Sequence, residues 1–164
     1  MRRALLATLF GAQVLCTTLA SAGAPSLNED CRICNRPIQV RYESSTPVFA
    51  QARQSSSSSP PVIFVNPEVY FVGRETQQWL YERQCVHIQR NHAVLREGEK
   101  GLRLEDEELA DCTALTAMTT GSTPNRSLRA AIESDMQRVT QDETRWRQVL
   151  PGPRRRISFQ RCPG

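Results

Sequence analysis

The chain has 164 residues, with 21 lysines and arginines against 17 acidic residues, and its formal net charge at neutral pH is +4. This length suits one domain with a single hydrophobic core. The small charge excess is not the footprint of a nucleic-acid-binding protein, and it falls to +2 once Arg2 and Arg3 leave with the signal peptide described next.

Residues 1–22 have the three parts of a cleavable signal peptide. Arg2 and Arg3 form the positive start, Ala4 to Ala20 is apolar, and Ala20-Ser21-Ala22 is a small-residue cleavage site. The apolar stretch is too short and too interrupted for a membrane anchor, and no later stretch is long enough to be one. We therefore expect a secreted or periplasmic protein without a transmembrane anchor after signal cleavage.

The mature chain divides into two parts by composition. Residues 23–60 are expected to form an extended N-terminal segment, with a strand at 38–42 and a serine-rich loop at its end. Residues 61–164 are expected to form the main domain. It begins with an apolar strand or hairpin at 61–72, in which Pro67 favours a sheet edge or a turn.

Apolar residues at helical spacing predict three helices in the main domain. They cover about 75–96, about 105–118, and a segment after Pro124 that runs towards Trp146. The acidic first turn of the second helix suits the positive end of a helix dipole. A short closing strand is predicted at 157–162 after Pro151 and Gly152. The predicted fold is α+β, with about three helices packed on a small β-sheet.

The residues that point to chemistry lie on the first two helices. The first carries Arg83-Gln84-Cys85-Val86-His87, followed by His92, and the second carries Glu107 to Cys112. In an intact zinc site of this kind, two histidines four residues apart face the same way. A glutamate next to the first histidine takes a proton from zinc-bound water. A later helix supplies a third ligand and a carboxylate that orients a histidine.

This pattern resembles that of the small exported HExxH-type metallopeptidases of the gluzincin group. The resemblance extends from about residue 61 to the end, where Pro151-Gly152-Pro153 leads through Arg155 or Arg156 to Cys162. It implies a minimal gluzincin core with His87 and Glu107 at zinc-ligand positions. The matching positions in the two helices are Cys85, His87, His92, Glu107, Ala110, Asp111 and Cys112.

The chain departs from the family pattern at its two most important positions. Arg83 replaces the first zinc histidine, and Gln84 replaces the catalytic glutamate. Gln84 cannot act as a general base, and two remaining protein ligands are fewer than zinc sites use. His92 does not fill the gap, because five residues along a helix turn its side chain roughly 140° away from that of His87.

Arg83 suggests what replaced the metal. Two buried carboxylates without a cation are costly, and an arginine fork can satisfy both. We therefore expect Arg83 to pair with Glu107 and with Asp111, which the resemblance puts beside the metal. No cofactor is expected on this interpretation, and zinc is expected only if the site is still active.

Five cysteines remain once Cys16 leaves with the signal peptide, so that at least one cannot form a disulfide within the chain. We expect a disulfide between Cys85 and Cys112 that clamps the first two helices together. The other disulfide candidates are Cys31, Cys34 and Cys162. A zinc knuckle built from these three lacks a fourth ligand nearby.

Three functions are compatible with these observations. The first is an exported, catalytically inactive metallopeptidase-like protein that acts as a binding or structural module, with Arg83, His87, Glu107 and Asp111 in the old cleft and a protein or peptide as its partner. The second is an active zinc peptidase with non-standard ligands. The third is a disulfide-stabilised structural protein of the envelope. The basic triplet at 154–156 is interpreted as a solvated surface.

Overall fold

The computed structural model describes residues 27–33, 35–54, 59–90, 103–119, 126–160 and 162. The predicted signal peptide, Cys34 and His92 lie outside these ranges. The described part contains five strands and four helices in an α+β arrangement. No helix in it is long and apolar enough to cross a membrane.

The strands form a short hairpin and a three-stranded sheet. β1 (Arg32–Ile33) pairs with β2 (Arg36–Pro37) in an antiparallel hairpin. In the sheet, β5 (Val62–Val65) lies between β3 (Gln39–Tyr42), to which it is parallel, and β4 (Ala50–Arg53), to which it is antiparallel.

The sheet draws two of its three strands from the segment that precedes the predicted main domain. The predicted strand at 38–42 is confirmed as β3, and only Val62–Val65 of the predicted 61–72 segment is a strand. β4 was missed, because Ala50-Gln51-Ala52-Arg53 lacks branched and aromatic residues. Its two alanines are buried nonetheless, so that residues before position 61 share one core with the helices.

The helices are α1 (Arg74–Gln89), α2 (Leu104–Ala117), α3 (Arg126–Thr140) and α4 (Glu143–Val149). The single third helix predicted towards Trp146 is wrong, because Asp142 begins a new helix by accepting hydrogen bonds from the backbone N–H groups of Thr144 and Arg145. The closing strand at 157–162 is also wrong. Residues 154–160, which we call the C-terminal strap, form no strand with the described residues.

α1 is the central element of the fold. It packs against β4, α2 and α3, and this explains why its buried residues lie all around the helix and include Arg83, Gln84 and His87. Asp135 of α3 holds its beginning in place by accepting hydrogen bonds from the N–H of Gly73 at 2.6 Å and from the hydroxyl of Thr76 at 2.7 Å.

The C-terminal strap returns across the helices to close the core. Ile157 and Phe159 are buried, and the ring of Phe159 meets that of Trp79 edge-on at 5.7 Å between centroids. The N–H of Phe159 donates to Glu133 of α3 at 2.8 Å. These contacts place Arg155, which lies earlier in the strap, at the interface between α1 and α2.

Candidate functional site

Arg83 lies at the centre of the site. It is completely buried on α1. Its Nε lies 2.5 Å from Oδ1 of Asp111, and its Nη2 donates a hydrogen bond to Oε2 of Glu107. Both carboxylates come from α2, where a spacing of four residues puts them on one face. The expected pairing of Arg83 with these two residues is therefore present in the structure.

The charge state of Arg83 follows from this environment. Burial alone would lower the pKa of its guanidinium, but the adjacent charges of Asp111 and Glu107 more than offset that effect and raise the pKa above its ordinary value. The guanidinium is thus a permanent cation, 5.3 Å from the ring centroid of Trp79. A fixed positive charge therefore occupies the side of α1 that faces α2.

A second arginine completes the cluster from the C-terminal strap. Nη1 of Arg155 lies 2.7 Å from Oδ2 of Asp111, and its Nη2 lies 3.4 Å from Oε2 of Glu107. Its side chain is 18% exposed, whereas that of Arg83 is 0% exposed. Two guanidinium groups therefore face two carboxylates, and we call these four residues the ion-pair cluster.

Arg155 was missed in the sequence, where residues 154–156 were interpreted as a solvated surface. That interpretation is wrong for Arg155, although it fits Arg154 and Arg156, which are exposed. The strap has no repeating pattern to show which of three consecutive arginines turns inward. The one signal available was the resemblance of the Pro-Gly-Pro-x-Arg ending, which covers position 155.

His87 and Gln84 lie close to the ion-pair cluster on α1. His87 is buried, and its Nε2 is 3.9 Å from Oε1 of Glu107. Gln84 is buried as well, but its Oε1 accepts a hydrogen bond from the backbone N–H of Ala52 at 3.1 Å. The side chain of Gln84 thus ties α1 to β4.

The residues present do not fit a zinc ion. Two ligands of one tetrahedral zinc lie roughly 3.4 Å apart, and the Nε2–Oε1 distance of 3.9 Å between His87 and Glu107 is close to that value. However, the other oxygen of Glu107 is bound to Arg83, whose guanidinium is a cation and donates no lone pair. The described residues include no group of three metal-ligating side chains.

Neither family models, nor curated proteins, nor solved structures give a match to this chain.

The disulfides differ from the expected pairing. Cys85 is bonded to Cys31, and Cys112 is bonded to Cys162, so that the predicted Cys85–Cys112 bond is wrong. The reason is the helical turn, because two residues turn Cys85 about 200° away from Arg83. Since Arg83 faces α2, Cys85 faces the opposite side, where it meets Cys31, immediately before the N-terminal hairpin.

Two cavities lie near the C-terminal strap. One of about 320 Å³ is bordered by Asp111 and Cys112 on α2 and by Arg155 on the strap. The other, of about 580 Å³, lies between the strap and α3, with Gln137 and Ser158 among its lining residues. Neither is lined by Gln84 or His87, which are 8% and 6% exposed.

Proposed function

We propose that this chain is an exported, metallopeptidase-like module without catalytic activity, in which the ion-pair cluster has taken over the structural role of a metal. The module acts through its stable fold rather than through chemistry at the old site. The observation that carries the proposal is the fully buried Arg83 with its two carboxylate partners. It rests on the sequence resemblance together with this geometry.

The cluster is suited to holding three parts of the chain together. Arg83 comes from α1, Glu107 and Asp111 come from α2, and Arg155 comes from the C-terminal strap. A zinc ion bound by side chains from two helices would link those helices in the same way. The guanidinium groups supply positive charge without a metal and bind both carboxylates in fixed directions.

The position of Gln84 supports the loss of catalysis independently of the metal. An amide cannot take a proton from water at neutral pH. Its oxygen is already used by the N–H of Ala52, so that the side chain serves as a packing contact between α1 and β4. A general base needs a free lone pair directed at the substrate or at water.

Export is supported by the two disulfides, which persist in oxidising compartments. They connect α1 to Cys31, immediately before the N-terminal hairpin, and α2 to Cys162, two residues beyond the strap. Together with the ion-pair cluster, they constrain every element around the old site. These links favour a structural module over a peptide-binding cleft, since Arg83, Gln84 and His87 are all buried.

The proposal is tested by the zinc content and peptidase activity of the mature protein. After dialysis against metal-free buffer, elemental analysis should find no retained zinc in the wild type. The matched positive control is the double variant Arg83→His with Gln84→Glu. It restores three ligands and a base at the positions that the resemblance assigns, and it should retain zinc. About one zinc per wild-type chain, with cleavage of an unstructured peptide, would overturn the proposal.

A further inference from the structure

The two disulfides differ in their access to solvent. Cys31 is 1% exposed and Cys85 is 4% exposed, and both belong to the hydrophobic core. Cys112 and Cys162 are only partly buried. The sequence separations are similar, at 54 and 50 residues, so that loop length does not distinguish the two bonds.

A cavity is bordered by Cys112, one of the two cysteines of the more exposed disulfide. It measures about 320 Å³ and is bordered by Glu108 and Cys112 on α2 and by Arg156 and Ser158 on the C-terminal strap. This volume is at the lower end of the range of small-molecule sites, about 300–1,000 Å³. One cysteine of the disulfide that joins α2 to Cys162, two residues beyond the strap, therefore borders a space that can admit the thiol of another molecule.

We propose that the Cys112–Cys162 bond is a thiol–disulfide exchange site that accepts a dithiol reductant, whereas Cys31–Cys85 is a permanent structural bond. The proposal requires only the disulfides, their burial and the cavity, and it does not depend on the absence of catalysis. An approach through the cavity reaches Cys112, which borders it. The sulfur that leaves in the first step is that of Cys162.

The exchange proceeds in two displacements. A thiolate of the reductant attacks Sγ of Cys112 and forms a mixed disulfide, and the electron pair of the broken bond leaves with Sγ of Cys162, which takes up a proton. The second thiol of the reductant then displaces Cys112, which is protonated in turn. The reductant is oxidised to a disulfide, and the protein gains two electrons and two protons.

Reduction removes the covalent anchor of the C-terminal strap. The strap is then held by buried Ile157 and Phe159 and by the two ion pairs of Arg155. Without the covalent link, the opening of the strap becomes more frequent, and each opening takes Arg155 away from Glu107 and Asp111. The redox state of one bond thereby controls the charge balance of the ion-pair cluster.

The first experiment measures the reduction of each bond in the native protein. The wild type is incubated with increasing dithiothreitol without denaturant, free thiols are alkylated, and each cysteine is quantified by mass spectrometry. Cys112 and Cys162 should be half-alkylated at a reductant concentration at least tenfold lower than Cys31 and Cys85. Reduction of both bonds together, or of Cys31–Cys85 first, would overturn the proposal.

The point of attack is tested with reduced glutathione, a monothiol that stops at the mixed disulfide. Peptide mapping should find the glutathione adduct on Cys112. An adduct confined to Cys162 would show that the cavity is not the route of attack, and the assignment would be overturned.

The release of the strap is tested with brief exposure to trypsin. Cleavage after Arg154, Arg155 or Arg156 should be at least tenfold faster in the selectively reduced wild type than in the oxidised protein. Cleavage after Arg147, on α4, is the internal control and should change little. The double variant Cys112→Ser with Cys162→Ser should match the reduced protein. Equal cleavage of oxidised and reduced wild type at the strap would refute the control of the strap by this bond.

Discussion

Replacing Arg83 with methionine tests the ion-pair cluster most directly. Methionine preserves an unbranched side chain of similar length but removes the charge and the hydrogen-bond donors. Asp111 then retains Arg155 on one oxygen, at 2.7 Å, and loses the partner of the other. Glu107 retains Arg155 at 3.4 Å and His87 at 3.9 Å. The substitution therefore leaves the buried carboxylate of Asp111 and the partly buried one of Glu107 with one guanidinium.

The expected loss of stability follows from these contacts. Removing one partner of a buried ion pair costs roughly 3–5 kcal/mol. Because Arg155 remains, we expect the lower end, about 3 kcal/mol, in the free energy of unfolding. This is a large part of the 5–15 kcal/mol that is typical of a domain. In thermal unfolding it corresponds to a decrease of about 10 °C in the midpoint.

The assay is urea unfolding of the oxidised mature protein, followed by tryptophan fluorescence. The matched control is Arg147→Met, because Arg147 is 75% exposed and pairs with Glu143 on the surface of α4. It should cost less than about 0.5 kcal/mol. A double variant of Arg83→Met with Asp111→Asn restores charge balance, and it should be about 2 kcal/mol more stable than the sum of the two single changes.

Two results would refute the reasoning. If Arg83→Met costs no more than Arg147→Met, the buried guanidinium contributes nothing to stability. If the double variant equals the sum of the single changes, Arg83 and Asp111 are not coupled, and the structural role assigned to the ion-pair cluster is incorrect.

Three further substitutions test separate parts of the fold. Gln84→Ala should lower the free energy of unfolding by about 1–3 kcal/mol, because the buried N–H of Ala52 loses its acceptor. Urea unfolding measures this loss, with Gln77→Ala as a half-buried control. Gly73→Ala should destabilise by about 1–2 kcal/mol in thermal unfolding, because the added carbon would lie 3.0 Å from Oδ2 of Asp135. Glu82→Gln should stabilise by about 0.5 kcal/mol at neutral pH but not at about pH 4.

The pH dependence of the last variant has a definite sign. Burial raises the pKa of the Glu82 carboxyl above its ordinary 4.5, a hydrogen bond from Gln78 opposes the shift, and Asp30 adds to it. A carboxyl whose pKa is higher in the folded protein favours folding while protonated, and this contribution is lost as the pH rises from the unfolded value through the folded one. The glutamine cannot ionise and avoids that loss. A benefit that is equal at both pH values would contradict this explanation.

The predictions for Gln84→Ala and Gly73→Ala can be contradicted in the same way. Unchanged stability of Gln84→Ala would mean that another acceptor satisfies the edge of β4. Unchanged stability of Gly73→Ala would mean that Asp135 moves without losing its hydrogen bond to Thr76.

The sequence by itself determined the helical core and the main polar contact. The apolar periodicity located α1 and α2, and the resemblance placed Glu107 and Asp111 together at one site. The resemblance, which puts Arg83 at a zinc-ligand position, was the basis for predicting its ion pairs. The location of the helices depends on local geometry, because the repeat of a helix decides which neighbouring side chains face the same way. The ion pairs join different helices, and their prediction came from the resemblance.

Only the tertiary structure decided the remaining parts of the site. The contact of Arg155 with Asp111 joins residues 44 positions apart, and the disulfides join residues at least 50 positions apart. Such contacts depend on how the strap and the N-terminal hairpin fold back over the helices, and no local pattern encodes that path. Helical geometry could exclude Cys112 as the partner of Cys85, but it could not select Cys31, because that choice depends on the packing of the whole chain.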